Sequence, residues 1–422
     1  MKCKLRLLFF TAEPWPTFRA DVAVLFGKEL PRQGICADLV ALKAADGDEV
    51  EWGGGKARLC AAKGGKLRRM VAAWLHRWRC LASVRAVNYQ AIQVRDLPIF
   101  AAFAGFVARW KDIPFYYWMS YPIPDGQMEL ARARGLSAGV VKWAYNLLSG
   151  MLGRWLLYGH VLPRADHVFV QSDRMRDDLV TIGIDREKMT PVPMGVDWPA
   201  ISRLANQPPA DAPRLRDRRV LIYLGTQVRP RRLEVLFEML ALVRRQIPEA
   251  LLVLVGDVDD PEHRAWLRKQ AEEAGVAEHV VWTGWLPMEE GWRYIRAAEV
   301  GLSPFPRSYL LDSASPTKVP EYLALGVPVV CNDNPDQAAM LAACDAGLCV
   351  PYTAEHFAEA VLKLLALDDG ERGKLVGAGR RYVENNRDYR RLGATLAGTY
   401  YSLAGFPSAS MAIADIPKQT NK

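Results

Sequence analysis

Short apolar runs alternate with helical patterns along most of the chain, the order expected of α/β architecture with parallel sheets. In the first half, Leu5–Phe10, Ala37–Ala41, Ala91–Val94, Pro114–Met119 and His167–Val170 read as strands. A second series follows in Val220–Leu224, Leu251–Val255, Val280–Trp282, Val300–Ser303 and Val327–Cys331. Between the first two of these, Leu233, Leu236, Phe237, Leu240 and Val243 recur at helical spacing. Pro199–Asp217 breaks the pattern with Gln207, Pro208, Pro209, Pro213 and several charges, as a linker does. The predicted organisation is an N-terminal domain over 1–198, a linker over 199–218, a second domain over 219–392, a C-terminal helix over 393–405 and a flexible tail over 406–422. Strand C-terminal ends are expected to face a cleft between the domains.

The segment SASPTKVPEYLALGVPVV (313–330) carries the strongest candidate chemistry. Ser315 is suited to cap a helix, Pro316 to its first turn, and Gly326 to stop it after Thr317–Leu325. Free N–H groups at such a helix start attract an anion, and Lys318 adds a full positive charge. Glu321 lies one turn deeper, where a carboxylate suits ribose hydroxyls beside a phosphate. A capped helix with a Lys–Glu pair is the structural alternative. In VLIYLGTQVRPRRLEVLF (220–237), a strand ends at Gly225 and Arg229, Arg231 and Arg232 flank a helix start. Cations there oppose the helix dipole, which an anion would relieve.

Length and composition set the class. A chain of 422 residues exceeds one compact core. Seven scattered Cys without a CxxC pair argue against a disulfide framework or a zinc site and fit a reducing compartment. Residues 1–200 hold 28 Lys and Arg against 19 Asp and Glu, and the rest 27 against 28, so the whole excess of +8 sits in the first half. A basic half implies an anionic partner. Leu7–Phe10 is too short for a signal core, and Leu97–Ala108 is too short to span a bilayer. Leu136–Leu162 is interrupted by Lys142, Arg154 and His160. The expected location is cytoplasmic, and peripheral on the inner face of the cell membrane. Residues 63–80 combine Lys63, Lys66, Arg68 and Arg69 with Met70, Val71, Trp74, Leu75 and Trp78 at helical spacing. That composition fits an interfacial membrane helix with Trp74 and Trp78 in the lipid, or a core helix with a basic outer face. No nucleic-acid motif accompanies the charge, so nucleic acid is not an expected partner.

Taken together, YLGTQVRPRRL, LLVLVGD, VVWTGWLP and SPTKVPEYLALGVPVV resemble glycosyltransferase family 4, as does ADHVFVQSDRMRDDL followed by PVPMGVD. The likeness is specific over 160–345 and weak over 1–160. It implies two Rossmann-like domains of the type B glycosyltransferase fold and a retaining, metal-independent transfer from a nucleotide-diphosphate-sugar substrate, with no cofactor. The acceptor implied is a saccharide or a lipid-linked sugar. Gly225 matches the family glycine, the following Arg is Thr226 here, and the family Lys is Arg231, with Arg229 or Arg232 as substitutes. Glu321 matches the second Glu of the family pair; the first is Ser313, and the adjacent Asp312 is the substitute expected at the sugar hydroxyls. Catalytic roles are thereby implied for Arg231, Lys318 and Asp312, and donor contacts for Gly225, Arg229, Arg232, Ser315, Thr317 and Glu321. Thr17, Phe18 and Arg19, in the loop after the first strand, are expected at the donor or acceptor. Asp257, Asp259 and Asp260 read as a polar turn rather than a metal site. A nucleotide-sugar epimerase of the same fold and a non-catalytic nucleotide-binding scaffold are the alternatives.

Overall fold

The computed structural model describes residues 3–44, 50–61, 64–135, 139–204 and 207–406. Lys63 and the tail from 407 onward lie outside them. The chain forms two compact units. The first holds the described residues up to Pro193 together with those from Tyr389 onward, and the second is Met194–Asp388.

The first unit contains β1 (Leu5–Thr11), β2 (Ile35–Leu42), β3 (Ala57–Cys60), β4 (Ala91–Arg95), β5 (Phe115–Met119), β6 (His167–Val170) and β7 (Met189–Pro191). They make one parallel sheet in the order β3-β2-β1-β4-β5-β6-β7. A parallel sheet is covered on both faces, which is why β1 reads LRLLFFT without clean alternation. Leu5, Leu7 and Phe9 enter one core, and Leu8 and Phe10 the other.

The second unit contains β8 (Arg219–Leu224), β9 (Ala250–Val255), β10 (Val280–Gly284), β11 (Val300–Ser303), β12 (Val329–Asn332) and β13 (Gly347–Val350). Their order is β10-β9-β8-β11-β12-β13, again parallel. Counted from its own first strand, this is the doubly wound order 3-2-1-4-5-6. In both sheets the order in which strands are added reverses beside the first strand, between β1 and β4 and between β8 and β11. Ligands of such sheets bind at that switch point, outside the strand C-termini.

Several expectations are corrected. β3, β7 and β13 were not expected; all three are short edge strands, half exposed or weakly apolar, and carry little hydrophobic signal. The 199–218 segment is not a free linker, because Ile201, Leu204, Ala210 and Leu215 are buried in the core of the second unit. The final helix, Tyr389–Leu403, belongs to the first unit and buries Tyr389, Leu396 and Tyr400 against β1 and β5 residues. Cys3, just before β1, and Cys36 on β2 are joined as a disulfide, their Cα atoms 5.8 Å apart. No described helix is long and apolar enough to cross a membrane.

Candidate functional site

The second switch point is built from the end of β8, the residues after β11 and the helix Lys318–Ala324. That helix starts at Thr317, tolerates Pro320 in its first turn and ends before Gly326, whose φ is +82°. Its Tyr322 hydroxyl accepts the Leu224 N–H at 2.8 Å and donates to the Leu302 carbonyl at 3.3 Å. Tyr322 therefore ties β8 and β11 together where they part.

Lys318 reaches from this helix back to the end of β8. Its Nζ lies 5.0 Å from the Tyr223 ring centre and 4.8 Å from that of Phe305. Gly225 makes the approach feasible: a Cβ there would sit 2.9 Å from Lys318 Cε, and its φ of +139° is open to glycine. Arg231 enters from the other side, its guanidinium 3.6 Å from the Phe305 ring centre. Lys318 is only 6% exposed, and no carboxylate among the described residues lies within ion-pair distance of it. Burial, then the Arg231 charge, push its ammonium well below the usual lysine range, against a smaller pull from Glu321. Glu321 is half buried with its Oε2 enclosed and without a hydrogen-bond partner. Burial raises its carboxyl to about 7, with Lys318 and the nearby Trp292 indole pulling the other way.

Gly225, Arg231, Lys318 and Glu321 thus come together, but other expected residues do not. Ser315 does not cap the helix. Its hydroxyl accepts the Met194 N–H at 3.0 Å and donates to Asp336 at 2.8 Å, in a buried knot closed by the 2.7 Å Arg387–Asp336 pair. Thr317 occupies the cap position without a side-chain cap bond. Asp312 is held by Arg307 through two bonds, 2.9 and 3.0 Å. Arg229 pairs with Asp260 at 3.7 Å, and Arg232, in a left-handed conformation, with Glu234 at 3.4 Å. Asp257 binds Arg264 at 2.8 Å, and Asp260 caps the helix Pro261–Glu273. Tyr223 and Phe305, which hold the two cations by their ring faces, were missed. Their signal was position alone, beside the ends of β8 and β11.

At the first switch point, Arg95 is buried among carboxylates: Asp21 at 2.9 Å, Asp96 at 3.0 Å and Glu13 at 3.4 Å. Sequence reading missed this cluster because Glu13 and Asp21 lie far along the chain from Arg95 and Asp96. Thr17, Phe18 and Arg19 follow on the β1 loop. Arg19 reaches Glu13 at 3.2 Å, Thr17 Oγ1 accepts the Arg19 N–H, and Phe18 is 85% exposed.

The helix Lys66–Ala82 matches expectation in part. Trp74 and Trp78 are half-buried: Trp74 packs on buried Phe100, and both touch Phe103 at the edge of the exposed surface. Met70, Val71 and Leu75 of the expected face are exposed, as is Leu67, beside exposed Arg68 and Arg69. Tryptophan at half-buried positions can satisfy a core and a lipid pattern equally, and the helical period alone does not separate them.

Comparison with known proteins places these units. The family model described as glycosyl transferases group 1 matches residues 209–382, and that described as a glycosyl transferase 4-like domain matches 21–195. The chain is 33% identical over 216 residues to a GDP-mannose-dependent alpha-(1-6)-phosphatidylinositol monomannoside mannosyltransferase of Mycolicibacterium smegmatis, over 49% of this chain and 54% of that protein. It spans about half the length of the curated relatives it matches. Among solved structures, Anabaena HepE in complex with UDP and glucose is similar at a TM-score of 0.67 and 16% identity, over 94% of this chain and 100% of that one. WaaG, a glycosyltransferase involved in lipopolysaccharide biosynthesis, is similar at 0.61 and 14% identity, over 94% and 99%. The two family models fall on the two parallel-sheet units in turn, and the chain belongs to the family 4 glycosyltransferases with the two-domain type B fold.

Proposed function

We propose that the protein transfers a sugar from a nucleoside-diphosphate-sugar donor to a saccharide or lipid-linked acceptor, in assembly of a cell-surface polysaccharide or glycolipid. The observation that carries the donor side is Lys318: a buried ammonium at a switch point, with no carboxylate at ion-pair distance among the described residues and with Arg231 beside it. A diphosphate supplies the charge this site lacks. Glu321 Oε2, enclosed and without a partner, suits a ribose hydroxyl.

The transfer is proposed to retain the anomeric configuration and to need no metal. The bond from the sugar to the diphosphate breaks, and charge grows on the leaving oxygens. Arg231 and Lys318 stabilise that charge in a desolvated setting. A departing phosphate oxygen takes the acceptor proton as the new bond forms on the same face. The acceptor is assigned to the β1 loop, where Phe18 offers an exposed apolar surface and Arg19 a hydrogen-bonding edge.

The lipid-linked acceptor rests on the first unit. The exposed residues of Lys66–Ala82 continue through Phe103, Phe106 and Trp110 of the neighbouring helix Pro98–Trp110, and through Leu148, Leu152 and Trp155 of Val140–Leu156. Arg68, Arg69, Arg109 and Lys142 are exposed among them. An anionic lipid surface is the partner that matches both properties, and it agrees with a peripheral position on the inner face of the membrane.

A thermal-shift series with UDP, GDP, ADP and dTDP tests the donor site. One of them should stabilise the wild type and lose most of its effect in Lys318→Ala. No stabilisation by any of the four overturns the assignment. Turnover should persist in EDTA; its loss, with recovery on adding magnesium or manganese, would return the Asp257–Asp260 turn to consideration.

A further inference from the structure

A polar cavity of about 340 Å³ opens in the first unit at the end of the sheet opposite its switch point. Arg6 is the second residue of β1, Lys56 immediately precedes β3, Arg58 lies on β3, and Tyr89 precedes β4. Its size falls at the lower end of small-ligand pockets, about 300–1,000 Å³. Three cations, Arg6, Lys56 and Arg58, line it against one carboxylate, Asp38.

That carboxylate is already committed. Asp38 is fully buried; its Oδ1 accepts the Lys56 N–H at 3.0 Å and its Oδ2 accepts the Tyr89 hydroxyl at 2.7 Å. Arg6 lies 3.5 Å from the same Oδ2. Arg58 donates to the Tyr89 oxygen at 2.9 Å and to Ser83 Oγ at 3.4 Å. The chain Arg58–Tyr89–Asp38–Arg6 therefore fixes two guanidinium groups at the rim, and the Lys56 side chain is exposed with no ion pair among the described residues. Burial and Asp38 push the Tyr89 hydroxyl up to about 12, so it stays a neutral donor at physiological pH. One buried carboxylate needs one counter-charge; of the two cations in excess, Arg58 is held by a preorganised frame and the Lys56 side chain stands exposed beside it.

We propose that this cavity binds a phosphate monoester, carried by a small phosphorylated molecule or by a lipid headgroup, at a site separate from the donor site. Fixed guanidinium forks suit phosphate oxygens, and Ser83 and Asn88 add polar groups.

Calorimetry with glycerol 3-phosphate, in a Lys318→Ala background that weakens the donor site, tests the soluble source. Vesicles containing phosphatidic acid, compared with phosphatidylserine vesicles of equal surface charge, test the headgroup source. Two variants separate the site from the fold. Arg6→Gln with Lys56→Gln removes charge, and Ser83→Glu places a carboxylate beside Arg58 in place of the hydroxyl it donates to, leaving Tyr89 and Asp38 intact. Binding in either arm, weakened at least tenfold by both variants at unchanged circular dichroism, supports the site. It is overturned if neither probe binds, if phosphatidic acid and phosphatidylserine vesicles bind alike and glycerol 3-phosphate does not bind, or if Ser83→Glu binds as tightly as its parent.

Discussion

Lys318 and Glu321 stand one turn apart, and burial presses both toward their neutral forms. For the apo protein this is a cost, because a buried cation is only partly compensated by ring faces. Replacing Lys318 with Met keeps the apolar stem and removes the charge. Lys318→Met should raise the melting temperature of the unliganded protein by several degrees while abolishing diphosphate binding, the mark of a group kept for its ligand. A lowered melting temperature would make Lys318 a structural residue. Glu321 gives the pH dependence. Its folded pKa of about 7 lies above the ordinary value of 4.5, so the folded state holds the extra proton between them. Its contribution to stability is therefore full below about 4.5 and is lost as pH rises through 7. Nucleoside binding runs the other way, since the ribose needs an acceptor oxygen: affinity should weaken as pH falls from 8 to 6, and Glu321→Gln should flatten the profile. Calorimetry across that range checks both. The positions of Lys318, Glu321 and Gly225 were legible because charge and glycine mark them in one dimension. The commitments of Ser315 to Asp336 and Asp312 to Arg307 were not, since a hydroxyl or carboxylate reads alike whether it faces a ligand or a knot.

The same limit holds for whole elements. Central strands were legible because burial on both faces makes them continuously apolar. β3, β7 and β13 lie at sheet edges, and the hydrophobic signal fades there. For the helix Lys66–Ala82 the period was correct and the expected face divides: Trp74 and Trp78 are half-buried against the core, while Met70, Val71 and Leu75 are exposed. The two parts should respond differently to substitution. Leu67→Ser, Val71→Ser and Leu75→Ser together should leave stability nearly unchanged and release the protein from anionic vesicles in a flotation assay. Trp74→Ser should instead lower stability by about 2–4 kcal/mol, as large-to-small core changes do. If the triple variant floats as the wild type does, the stripe is not the lipid contact.

At the scale of the whole molecule, the first unit is discontinuous in sequence. Its core is completed by Tyr389, Leu396, Ala397, Tyr400 and Tyr401, from the helix that follows the entire second unit. Removing residues from 389 onward should therefore loosen β1 and β5 while sparing β8 and β11, although the second unit is nearer in sequence. Amide exchange on the truncated chain reads this directly; protection lost first in the second unit would contradict it. The closing helix also sets an order of events on the ribosome. Chains usually settle their N-terminal portions first, as they emerge at about 5–20 residues per second. Here the opening half must wait roughly 10–40 s for its last helix, while Met194–Asp388 is made and is free to fold in the interval. During that interval the apolar faces of Leu5, Phe9 and Tyr116 are without their final cover, so the earliest-made strands are the ones most dependent on a chaperone's protection.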